Sequence, residues 1–221
     1  MVELSPSILS CNFSNLQKDL DQTTGTDLKM IHIDVMDGIF VPNISFGFKV
    51  IKDIRDKNDY FFDTHAMIVE PIKYIEEFKK SGVDRLTIHY EACENLDQTI
   101  DKIKDNDMEV GLTFKPATDI DLIIPYLKKI DLVLVMSVEP GFGGQTFMED
   151  SVEKIKALRA YIDENNLDVK IQVDGGIKTT NVEKVIDAGA DEIVSGSDVF
   201  GKDIKEQINK YYEIFKKKSL Y

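Results

Sequence analysis

Short apolar runs alternate along this chain with segments in which apolar residues recur every three or four positions. The runs lie at 5–9, 30–35, 60–67, 85–89, 109–114, 132–138, 170–174 and 192–195, and they predict eight strands. Helical spacing is clearest at Ile72, Ile75 and Phe78, at Val152, Ile155, Leu158 and Ile162, and at Ile204, Ile208, Tyr211 and Phe215. A helix after every strand makes eight strand–helix units. Strict alternation calls for parallel strands joined by right-handed crossovers. Eight such units in 221 residues fit one α/β domain, a single (β/α)8 TIM barrel over 1–221. An open doubly wound sheet is the alternative. No linker, low-complexity tract or composition break divides the chain, and its end, KKKSLY at 216–221, reads as frayed and solvated.

Polar residues interrupt the apolar pattern in two ways. The first is the stretch 32–43, HIDVMDGIFVPN. Side chains alternate along a strand, so His32, Asp34 and Met36 share one face while Ile31, Ile33 and Val35 share the other. A strand buried on both faces is expected to be apolar on both. An imidazole and a carboxylate two residues apart are costly there unless something binds them, and a divalent cation would do so. The same parity joins Asp63, His65 and Met67 on the third strand and Gln172 with Asp174 on the seventh. His32, Asp34, His65 and Asp174 thus fall at or near the carboxyl ends of three strands, where barrels of this kind carry their active sites. Two imidazoles and two carboxylates suit zinc, iron, manganese or cobalt, without choosing among them. His89, inward on the fourth strand, reads as a hydrogen-bonding residue rather than a ligand.

The second interruption is a set of glycine-rich turns after the sixth, seventh and eighth strands: PGFGGQ at 140–145, DGG at 174–176 and SGS at 195–197. Glycine lets bare backbone N–H groups approach an anion, and phosphate sites in these barrels use the loops after strands seven and eight. Charge makes such a cradle necessary. With 27 Lys and Arg against 40 Asp and Glu, the net charge is −13, which repels nucleic acid and anionic lipid. A phosphorylated ligand therefore needs local donors. The surplus acid is assigned mostly to solvated helix faces. No apolar run approaches the roughly 20 residues that span a bilayer, so neither nucleic acid nor membrane is an expected partner. With only Cys11 and Cys93 and no secretory leader, a reducing, cytoplasmic setting is expected. Both cysteines read as packed or partly exposed thiols rather than nucleophiles.

Taken together, SPSIL, HIDVMDGIFVPN, PGFGGQ, VDGGI and VSGS, in that order and nearly end to end, resemble the ribulose-phosphate 3-epimerase family. The resemblance implies a (β/α)8 barrel, one divalent cation (Zn, Fe, Mn or Co) held by His32, Asp34, His65 and Asp174, and interconversion of ribulose 5-phosphate and xylulose 5-phosphate in the non-oxidative pentose phosphate pathway. It also implies that Ser7 and His65 touch the sugar. Around the phosphate end it places Gly141, Phe142, Gly143, Gly144, Gly175, Gly176, Gly196 and Ser197, with Met36, Met67 and Met136 beneath the substrate. Ala66, where Leu or Met is usual, and Cys11–Asn12, in place of a small residue and Asp, depart from the pattern without removing a ligand. A similar epimerase acting on allulose 6-phosphate carries an alanine in the PGFGGQ loop and lacks the second glycine of VDGG, so Gly143 and Gly176 favour the pentose. A homo-oligomer is expected.

Inverting a carbon beside a carbonyl means removing its proton on one side and returning one on the other. Asp34 and Asp174, on distant strands yet both inward, are the expected acid/base pair, with a cation opposing the charge of the enediolate. Each methionine reads equally as a polarizable floor or as core. A metal-dependent hydrolase and a non-catalytic sugar-phosphate binding barrel are the rival functions.

Overall fold

Backbone pairing joins eight strands into one sheet: β1 (Glu3–Pro6), β2 (Met30–Met36), β3 (Phe61–Met67), β4 (Arg85–His89), β5 (Glu109–Phe114), β6 (Leu132–Met136), β7 (Lys170–Asp174) and β8 (Glu192–Ser195). The computed structural model describes residues 2–218. The hydrogen-bonded order is β1-β8-β7-β6-β5-β4-β3-β2, and all seven pairings are parallel. Ser7 bridges to His32 in parallel across the remaining seam. That contact brings the first strand against the second and makes a nearly closed barrel, which removes the open-sheet alternative.

Helices cover the outside: α1 (Leu16–Asp21), α2 (Phe48–Arg55), α3 (Ile75–Lys80), α4 (Leu96–Asp105), α5 (Ser151–Glu164), α6 (Val182–Asp187), α7 (Ser197–Phe200) and α8 (Ile204–Lys218). The main core lies between strands and helices. Ile31 and Ile33 of β2 are fully buried there, together with Ile155 and Leu158 of α5 and Ile208, Tyr211 and Phe215 of α8. A smaller cluster, Leu132, Leu134, Met136 and Val138, fills the β6 side of the barrel interior. None of the described helices is long and apolar enough to cross a membrane.

Four local expectations change. The crossover from β5 to β6 has no α-helix but two 3-10 segments, Ile120–Leu122 and Ile124–Lys129; Pro125 bars one continuous α-helix across both, because it lacks the N–H that would donate to the Asp121 carbonyl. Since α7 and α8 both follow β8, the described residues hold eight α-helices without one per strand. The first strand ends at Pro6, because the Ser7 side chain accepts from the N–H of Leu9 and turns Ile8–Ser10 into a 3-10 segment. The sixth ends at Met136: the Ser137 N–H makes the last β6–β7 bond, to the Asp174 carbonyl at 2.7 Å, and its hydroxyl donates to the Gly175 carbonyl at 2.7 Å. At the chain end, Lys216 and Lys218 belong to α8 and pair with Asp27 at 3.0 Å and Asp187 at 2.8 Å. Ser219 to Tyr221 lie outside the described residues.

Candidate active site

Period-two alternation carries His32 and Asp34 on β2 and His65 on β3 into the barrel, and β7 ends on Asp174. One ligand atom from each of the four can be chosen so that all lie within 4.8 Å of one another. His65 Nδ1 stands 3.2 Å from Asp34 Oδ1 and 3.8 Å from Asp174 Oδ2. His32 Nε2 stands 3.4 Å from Asp34 Oδ1 and 4.0 Å from Asp174 Oδ2. That His32 nitrogen is buried with no hydrogen-bond partner among the described residues. Burying it unsatisfied is costly, and a cation among these donors removes the cost. The donor set and the orphaned nitrogen both fit a divalent metal.

The two carboxylates differ in proton affinity. Burial opposes ionisation of Asp34, but His32 and His65 outweigh it and hold Asp34 well below the usual carboxylate range. Ser7 Oγ donates to its Oδ2 at 2.5 Å. For Asp174, desolvation and then the charge of Asp34 act in the same direction and raise it to about 6, although 19% of the side chain remains exposed. Burial works against protonation of His32, yet Asp34 and Asp63 raise it well above 6.5.

Beneath the cluster lies a polar layer that the sequence reading did not single out as functional. His32 turns Nδ1 to Asp63 Oδ2 at 2.7 Å. The same carboxylate accepts from Ser5 Oγ at 3.1 Å, Gln172 Nε2 at 2.7 Å and Arg85 Nε at 2.9 Å. Arg85 continues to Glu192 at 2.5 Å. These five side chains come from β1, β3, β4, β7 and β8, and their exposure is 1% or less. Arg85 and His32 together hold Asp63 ionised despite burial. A carboxylate behind a metal-facing imidazole fixes its ring and tautomer. The one sequence signal was parity, since Asp63 and Gln172 sit two residues before His65 and Asp174.

Above the cluster opens a cleft of about 640 Å³, open solvent at its mouth included. Ser7, Asp34 and Asp174 line it, and Met36, Met67 and Met136, each 4% exposed or less, form its floor. His32 and His65 are fully buried below. Gly141, Phe142, Gly143 and Gly144 border the cleft from the loop after β6, Gly175 and Gly176 from the loop after β7, and Gly196 and Ser197 after β8. Leu9, Ser10 and Lys178 also line it and were not expected there. The β2 loop reaches across, with Asn43 Nδ2 donating to the Gly141 carbonyl at 2.8 Å. Ala66, fully buried in the outer core, does not face this cleft. Neither cysteine is placed as a nucleophile: both are half-buried, and burial raises Cys93 to about 11 and pushes Cys11 up as well.

Gly176 is required by the backbone itself. Its φ is +64°, and a Cβ would sit 2.6 Å from Phe147 N and 2.8 Å from Gln145 O. Gly176→Ala is expected to cost about 2 kcal/mol or more, from left-handed strain plus displacement of the β6 loop. For a chain of this length that lowers the melting temperature by about 4–8 °C. A calorimetric scan showing no change would remove the steric argument.

A parallel barrel with a candidate metal centre and glycine turns at the carboxyl ends of its strands defines a class of α/β barrel with its site in the mouth. Structural similarity to KGPDC from Streptococcus mutans, with a TM-score of 0.73 over 98% of each chain at 12% identity, places the chain in that fold class. The model of the ribulose-phosphate 3 epimerase family matches residues 3–200. A ribulose-phosphate 3-epimerase of Synechocystis sp. is 43% identical, covering 90% of this chain and 87% of the relative. One from Bacillus subtilis is 41% identical, covering 94% and 96%. The chain belongs to the ribulose-phosphate 3-epimerase family.

Proposed function

We propose that this protein is a ribulose-phosphate 3-epimerase, a metal-dependent isomerase interconverting D-ribulose 5-phosphate and D-xylulose 5-phosphate. The observation that carries the proposal is the pairing of Asp34 and Asp174 on the cleft floor, from strands five positions apart in the chain, with their proton affinities set in opposite directions. One carboxylate holds its proton more tightly while the other is ready to accept, the division that acid/base chemistry on two faces of one carbon uses. Asp34 and Asp174 exchange the proton at carbon 3, one on each face of the substrate. Ser7 holds Asp34 by its hydroxyl and orients the carboxylate. Met36, Met67 and Met136 exclude water beneath the reacting carbon without offering it a competing acid. The glycine turns, including Gly143 and Gly176, receive the phosphate at the far end and fix the sugar along the cleft.

His32, Asp34, His65 and Asp174 would hold the cation, with zinc, iron, manganese and cobalt all compatible with the donor set. When bound, it supplies positive charge beside the substrate oxygens on which negative charge develops. Proton affinities give this reading a pH signature. Asp174 and His32 are both raised, so at low pH each holds a proton that a cation must displace. Zinc affinity is therefore expected to fall as pH drops, by about tenfold per unit for each proton displaced, more steeply below about pH 6 where Asp174 joins His32. Competition with a chromophoric chelator between pH 5 and 8 measures this, and a flat profile overturns the assignment of these ligands.

Incubation with ribulose 5-phosphate, followed by NMR and mass spectrometry, tests the activity. Appearance of xylulose 5-phosphate at unchanged mass supports it. Loss of phosphate identifies a hydrolase, and saturable binding without conversion identifies a binding protein. Faster turnover of allulose 6-phosphate than of the pentose would move the assignment to that hexose.

A further inference from the structure

The two cluster histidines are backed differently. His32 has the carboxylate of Asp63, whereas His65 has another imidazole. His65 directs Nδ1 at Asp34 and Asp174 and turns Nε2 the other way, 2.8 Å from Nε2 of His89. Two ring nitrogens at that distance form one hydrogen bond, so one carries the proton and the other a lone pair. The far side of His89 indicates which. Its Nδ1 faces Glu91 Oε2 at 3.5 Å, an electrostatic contact longer than a formed hydrogen bond. The other oxygen of Glu91 accepts from the Lys115 N–H at 2.8 Å and from the Thr118 hydroxyl, and His89 first, then these two donors, keep Glu91 ionised, lowering it to about 2 against its partial burial. A carboxylate in that state repels a lone pair. Placing the His89 proton on Nδ1 turns the N–H toward Glu91, whereas the opposite tautomer turns a lone pair toward it. His89 is fully buried, and the Phe40 ring packs against it with centroids 4.6 Å apart, which keeps solvent from taking either role.

We infer that His89, backed by Glu91, is a positioning residue that holds His65 as the Nε2–H tautomer and so presents its Nδ1 as the ligand atom for the cation. With Nδ1 protonated, His89 has its lone pair on Nε2 and accepts from His65. Nδ1 of His65 is then left bare for the cation, whose charge offsets the repulsion that Asp34 Oδ1, 3.2 Å away, would otherwise exert on that lone pair. Both histidine ligands are in this way set from behind, His32 through Asp63 and His65 through the His89–Glu91 chain. The inference rests on the metal reading above and adds the atom by which His65 binds and the residue that selects it.

The test uses protein stripped of metal by chelator dialysis, then titrated with zinc alone. Long-range proton–nitrogen NMR correlations of the imidazoles in the zinc-loaded wild-type protein are expected to show His65 protonated at Nε2 and metal-bound at Nδ1. His89→Leu, which removes the acceptor, is expected to weaken zinc binding by about 10–100-fold. His89→Gln keeps an oxygen that accepts from His65 Nε2–H and is expected to recover most of that loss, which a merely space-filling role would not produce. Binding of His65 through Nε2 in the loaded wild-type protein overturns the inference. So does a His89→Leu protein that is folded by circular dichroism and binds zinc as tightly as wild type. Should the leucine variant not fold, the wild-type tautomer decides the matter alone. A folded wild-type protein that binds no zinc overturns the metal reading, and the inference with it, before any variant is compared.

Discussion

Asn in place of Asp34 or Asp174 is expected to stop interconversion of the two epimers, lowering kcat by about 10²–10⁴-fold for each group removed. The amide keeps the size of the side chain and, at position 34, an oxygen that can accept from Ser7, but it cannot take a proton from carbon 3. In deuterated water each variant separates the two half-reactions, because the surviving carboxylate still exchanges the proton on its own face. Asp34→Asn and Asp174→Asn are therefore expected to wash label into opposite epimers, while wild-type protein labels both as product forms. Both residues also belong to the candidate metal cluster, so metal content is measured in each variant before exchange is interpreted. A variant that retains its metal and epimerises at the unmodified rate would refute the two-base assignment.

Removing the phosphate from the substrate is expected to lower kcat/KM by about 10³-fold or more, equivalent to roughly 4 kcal/mol of transition-state stabilisation. The glycines of the turns after β6, β7 and β8 line the cleft and carry no acid or base, so a phosphate bound there acts on the reacting carbon only by positioning it. Binding energy from a group remote from the chemistry is used for orientation, and its loss appears in kcat as well as in KM. The measurement compares ribulose with ribulose 5-phosphate under initial-rate conditions. Values within tenfold of each other would take the phosphate role away from these loops.

Much of the candidate site was legible because a strand has period two. His32 with Asp34, His65 with Met67, and Gln172 with Asp174 each show their shared face in the local sequence, and the barrel places those faces inward. The glycine turns were legible for a similar reason, since backbone without side chains is a local property. Gly176 shows where that reading stops: its identity is also set by Phe147 and Gln145, whose backbone atoms leave no room for a Cβ. The absence of an α-helix between β5 and β6 was carried by Pro125 but was obscured by an apolar pattern that a 3-10 segment satisfies equally well.

By itself the sequence determined the strand-and-helix alternation, the inward parity of the four candidate ligands, and the placing of glycine turns after three neighbouring strands. These depend on spacing within one strand or one turn, which a linear pattern records. Only the tertiary structure decided that the seam closes through Ser7 and His32, that one donor atom from each candidate ligand falls within 4.8 Å of the others, and that Asp63, Arg85 and Glu192 form a buried charged layer behind them. It likewise decided which nitrogen of His65 faces the cluster and which meets His89. Those facts depend on strand stagger and on distances across the barrel. Residues such as Asp63 and Glu192, far apart in the chain, become neighbours only when eight strands close around one axis.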